Sequence, residues 1–90
     1  MTDQENEISS VTIEDLLEEK KLILFNCNKT SFLTVITALC LILGFDKIQA
    51  EQLSLIVHNK GKAVIKTGEY LKLKDYYEKL KEFGLTLKIE

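Results

Sequence analysis

The apolar residues of this chain recur with two periods, two residues in some stretches and about 3.6 in others, which are the spacings of strands and helices. Leu22-Ile23-Leu24-Phe25, entered from Lys21, is a short β-prone run, and Asn26-Cys27-Asn28-Lys29 after it has loop chemistry. Phe32, Val35, Ile36, Leu39 and Leu43 form an apolar stripe at helical spacing. Thr30 or Ser31 can cap that helix, and Gly44 stands at its C′ position. Asp46 followed three residues later by Gln49 resembles a capping box, opening a second helix that runs to about Asn59 and stops at Gly61. Lys62 to Lys66 reads as a second strand, with Thr67-Gly68 as a turn. A third helix is expected from about Tyr70 to Phe83, carried by Leu73, Tyr76, Tyr77, Leu80 and Phe83. Leu85, Leu87 and Ile89 then alternate with Thr86, Lys88 and Glu90, the clearest strand pattern in the chain.

The order is β-α-α-β-α-β. Three strands cannot shield both faces of a sheet, so the helices are expected on one face of a three-stranded antiparallel sheet. This is an α+β, two-layer sandwich. Residues 1–10 have the polar, charge-rich makeup of a disordered end. Val11 to Lys20 can form a short amphipathic turn or two, capped by Thr12, but at that length a helix is marginal alone. The expected division is an acidic, flexible N-terminal tail over residues 1–19 and one domain over residues 20–90.

Composition narrows the class. With 46% apolar and 29% charged residues the chain is ordinary for a soluble globular domain. Cys27 and Cys40 have neither the number nor the spacing of a disulfide framework or a zinc site, so they read as free thiols in a reducing compartment. The acidic start is unlike a secretory signal, and the apolar run Phe32 to Leu43 falls short of the roughly 20 residues a membrane span needs. A cytoplasmic protein that does not bind a membrane is expected. Charge is uneven: all 12 Lys+Arg residues lie in residues 20–90 against 7 acids, while residues 1–19 hold acids alone. A basic body attracts acidic partners. All 12 are lysine, and the lack of arginine forks argues against nucleic acid as a partner.

One segment departs from generic sandwich chemistry: Val57-His58-Asn59-Lys60-Gly61-Lys62-Ala63, leaving a helix and entering a strand. Together with Leu22-Ile23-Leu24-Phe25-Asn26 and Ala50-Glu51-Gln52, it resembles the ClpS adaptor family, especially its short Bacteroidetes-type members. Lys66-Thr67-Gly68-Glu69-Tyr70 and the closing strand also fit, so the resemblance covers residues 21–90. The resemblance implies an adaptor that holds a substrate's N-terminal Phe, Leu, Tyr or Trp and delivers the substrate to a Clp-type AAA+ unfoldase. No cofactor or metal is implied. Carried over by residue, Asn26 and His58 match the groups that bind the substrate's α-amino group, with Cys27 beside them. Thr30, Phe32, Val35, Ser54 and Val57 would line the pocket, and Lys60 and Lys62, flanking the glycine, are candidates for docking the partner. The chain departs from the family at Cys27 and Asn28, where the family has Asp, and at Ser54, where it usually has Met or another apolar residue.

The first departure changes the chemistry. An ammonium group leaving water needs acceptors, preferably an anion. A hydrogen bond to a charged group contributes about 1.5–3 kcal/mol against about 1 for a neutral pair, so Cys27 in place of a carboxylate is expected to weaken binding roughly tenfold. His58 has a plainer explanation as well, since a helix's last turn favours histidine whatever the ligand. Charged imidazole repels an ammonium, so affinity is expected to fall with pH.

Other functions need features the sequence lacks. Cys27 with His58 is the minimum for an activated nucleophile, but no group is clearly placed to orient the imidazole and no oxyanion hole is identifiable. Two ligands fall short of a metal site. The chain therefore reads as a binding protein and not an enzyme. A second reading stays open: Leu33, Cys40 and Leu41 fall outside the core stripe of the helix 32–43. They belong either to one wide core face or to a surface for a homodimer or another partner, on a ClpS-fold paralogue without N-terminal recognition.

Overall fold

The computed structural model describes residues 12–90. Its elements are α1 (Ile13–Leu17), β1 (Glu19–Phe25), α2 (Phe32–Leu43), α3 (Lys47–Lys60), β2 (Lys62–Glu69), α4 (Tyr70–Lys81) and β3 (Thr86–Ile89). From β1 onward this is the expected β-α-α-β-α-β order. Of the segment read as a tail, residues 1–11 lie outside the described residues. Residues 13–17 form α1, which touches α4, and Glu19 already belongs to β1.

The strands form one antiparallel sheet in the order β2-β1-β3. As the central strand, β1 buries Leu22, Ile23 and Leu24 in succession. Leu22 and Leu24 point into the helical layer, where they meet Ile36, Ala38 and Leu39 of α2, Ala50 and Val57 of α3, and Leu73 and Leu80 of α4. Ile23 faces the other way by strand alternation. It is only 5% exposed because its cross-strand partners Val64 and Lys88 flank it.

Two helix caps behave as their sequence chemistry requires. Ser31 Oγ accepts from the Thr34 amide at 3.1 Å, and Asp46 Oδ1 accepts from the Gln49 amide at 2.7 Å. Each satisfies an N–H group that the first helical turn leaves without a partner.

β2 differs from expectation. Thr67-Gly68 is not a turn; the strand runs through both to Glu69, because β1 extends back to Glu19 and pairs with it along the whole length. The register slips between Leu22 and Ile23, which pair with Lys66 and Val64, leaving Ile65 as an inserted residue. Such a bulge turns two successive side chains to one face. Ile65 accordingly enters the core while the Lys66 Nζ lies 5.9 Å from the centre of the Tyr76 ring on α4. Beyond the bulge Gly68 holds φ 154°, a conformation that L side chains rarely adopt. A glycine in an alternating segment thus marks backbone demand here, not a chain reversal.

Candidate functional site

The loop after β1 and the end of α3 are tied together through the backbone. Gly61, at φ 93°, caps α3 by donating its N–H to the Val57 carbonyl at 2.8 Å, and its own carbonyl accepts the Asn26 N–H at 2.8 Å. Asn26 is therefore fixed against the cap of the helix whose last turn carries His58. The loop is secured again further on. Thr30 Oγ1 donates to the Gly84 carbonyl at 2.7 Å, and the Thr30 N–H closes a turn onto the Cys27 carbonyl at 3.4 Å.

These ties leave a hollow of about 520 Å³ between the loop, α2, α3 and the start of β3. Asn26 and His58 both line it and both are exposed, which places them at its rim. Ser54 and Val57, four residues and one residue before His58 on α3, are buried and belong to its floor. Phe32 and Val35 of α2 line the opposite side, with Phe32 44% exposed at the edge and not in the core stripe proposed from its spacing. Cys27 and Thr30 complete the set of pocket residues picked out in the sequence, all of which line this one hollow. Lys60 and Lys62 do not line it. Both are exposed just beyond it, and the Lys62 Nζ lies 6.0 Å from the centre of the Phe25 ring.

The hollow also takes in Phe25, Leu55, Leu85 and Thr86, which sequence reasoning missed. Leu85 and Thr86 lie some sixty residues from the loop, and only the pairing of Phe25 with Thr86 brings them there. The one available signal was the strong alternation of the last strand, which marked it as a strand without fixing its neighbour.

The Cys27 thiol is held below its ordinary pKa, chiefly by the Lys29 backbone amide and next by the Thr86 hydroxyl, with Thr30 adding to the effect and burial opposing it. Hydrogen bonds that favour the thiolate have that sign. The floor holds a second anomaly. Ser54 is 3% exposed and its Oγ is buried without a hydrogen-bond partner among the described residues, although a helical serine commonly bonds back to a carbonyl one turn earlier. No group of three or more potential metal ligands occurs among the described residues, and no helix there is long and apolar enough to cross a membrane.

Comparison with known proteins gives this geometry a family. Residues 17–88 match the family model described as "ATP-dependent Clp protease adaptor protein ClpS". The chain belongs to the ClpS adaptor family. No curated protein matches the sequence. Among solved structures, the chain is similar to Agrobacterium tumefaciens ClpS2 bound to L-phenylalaninamide, with a TM-score of 0.78 at 18% identity over 81% of this chain and 95% of that one. At that identity the likeness establishes the α+β sandwich. Membership makes the chain an adaptor of the Clp protease and sets it apart from the protease itself. Within this ClpS-type frame the departures noted in the sequence, Cys27, Asn28 and Ser54, all fall on the wall of the hollow.

Proposed function

We propose that this ClpS-family chain is a cytoplasmic adaptor that captures substrates by an N-terminal residue with a bulky apolar side chain and hands them to a Clp-type AAA+ unfoldase. The observation that carries this reading is a single hollow with hydrogen-bonding groups at its rim and an apolar interior. Asn26, through its amide oxygen, and neutral His58, through its free ring nitrogen, are acceptors suited to an α-ammonium group. Phe32, Val35 and Val57 enclose a Phe, Leu, Tyr or Trp side chain, and Thr30 holds the loop in place. Cys27 takes the position nearest the amine with a sulfur where a carboxylate would bind more strongly. Lys60 and Lys62 are left clear of the hollow and serve the partner.

The test is a titration with a short peptide beginning in Phe, beside its N-acetylated twin. Binding that requires the free amine and is lost in His58→Ala supports the reading. Equal binding of both peptides, or of neither, overturns it. The second reading, a partner or self-association module, is favoured by the 72% and 68% exposure of Leu33 and Leu41, spaced two turns apart on one side of α2. Loss of amine dependence together with a concentration-dependent dimer would select it.

A further inference from the structure

Ser54 is the one buried polar side chain whose hydroxyl finds no partner among the described residues, and it lines the hollow. Isolated burial of a hydroxyl is unfavourable, so such a group either persists for no reason or is completed by something that binds. Its place on α3 distinguishes the two. Ser54 and His58 are four residues apart on the same helix, so they share a face about 6 Å apart along the axis. That separation is comparable to the reach of a tyrosyl hydroxyl from its own α-carbon. An occupant whose amine sits at His58 therefore brings the far end of an aromatic side chain to the level of Ser54.

We infer that Ser54 makes the hollow selective for an N-terminal residue whose ring carries a hydrogen-bonding group, tyrosine above all, over phenylalanine and leucine. This rests on the proposed function, since it needs the amine to be held at the rim. The Ser54 Oγ has almost no solvent contact, so the pairing requires it to turn about χ1 toward the ligand. A phenolic hydroxyl both donates and accepts, as does serine, so the pair forms whichever supplies the proton. Phe and Leu leave the serine as it was. The hydroxyl's desolvation is already complete in the free protein, so pairing it is gain without a new penalty on the protein's side. A site that can bond a substrate hydroxyl discriminates far better than one that only encloses a ring.

The experiment titrates the full chain and Ser54→Ala with free-amine peptides beginning in Tyr and in Phe, identical thereafter, and with the acetylated Tyr peptide. The Tyr peptide should bind the unaltered chain about tenfold more tightly than the Phe peptide, the worth of one hydrogen bond. In Ser54→Ala the ratio of Tyr to Phe affinity should fall to about one. The variant's melting temperature should also hold steady or rise, because the deleted hydroxyl has no partner in the free protein; a structural serine would lower it. Equal affinity for Tyr and Phe in the unaltered chain overturns the inference while leaving the proposed function intact, and so does a Tyr preference that survives in Ser54→Ala. If the acetylated peptide binds as well as the free amine, the proposed function fails and takes this inference with it.

Discussion

At the rim of the hollow the residue that bears most on the proposed amine site is Cys27. Its thiol is drawn toward the thiolate by the Lys29 amide and the Thr86 hydroxyl, so the loop is already arranged to hold a negative charge there. Cys27→Asp should therefore fit without rebuilding the loop and tighten free-amine peptides about tenfold, read by titration at pH 7, while leaving an acetylated peptide unchanged. The unaltered thiol should itself be alkylated faster than an unperturbed cysteine at neutral pH, and a bound free-amine peptide should slow that reaction. An alkylation rate indifferent to the peptide would place the amine elsewhere. The sequence made Cys27 legible as a departure, but not its hydroxyl neighbour, because Thr86 arrives from the far end of the chain.

Among the elements, α3 and its cap determine how the site is assembled. Gly61 occupies left-handed backbone, caps α3 and accepts the Asn26 N–H, so one residue ends the helix and holds the rim's asparagine. No heavy atom would crowd a Cβ at Gly61, so Gly61→Ala tests the backbone alone. It should lower stability by about 1 kcal/mol in denaturant unfolding and weaken peptide binding in the same variant. Full stability with full affinity would show that the cap does not govern the site. The helices were legible from their caps: Ser31 and Asp46 accept the amides their positions called for, and Gly44 and Gly61 stop the helices they follow. The second strand was not fully legible. Thr67-Gly68 has turn chemistry taken alone, and nothing local reveals that β1 reaches back to Glu19 to pair beside it. Phe32 illustrates the complementary limit, since helical spacing assigned it to the core stripe and the hollow keeps it nearly half exposed. Spacing identifies the face of a helix, but where that face borders a hollow depends on the loop, α3 and β3 together.

Over the whole molecule, the residues proposed for recognition and those proposed for docking lie apart. Lys60 and Lys62 stand outside the hollow on a body whose lysines outnumber its acids, 12 to 7 over residues 20–90. Lys60→Glu combined with Lys62→Glu should leave the peptide affinity within about twofold, since both charges are exposed and screened, yet weaken association with the unfoldase. Co-sedimentation or titration with the unfoldase checks this, and an undiminished complex would move the docking surface elsewhere. The family frame, which the helix-end histidine motif and the first-strand asparagine made readable, concerns the overall architecture. The selectivity proposed for Ser54 does not come with the family, because it depends on a hydroxyl whose isolation only packing reveals.

The sheet order has a temporal consequence. Since β1 lies between the other two strands, and β3 supplies Leu85 and Thr86 to the hollow, the hollow is incomplete until β3 has paired. It comes into being only when two segments separated by most of the sequence zip together, a slow kind of closure. On the proposed function, a ribosome-bound chain whose β3 is still in the exit tunnel cannot yet capture a substrate.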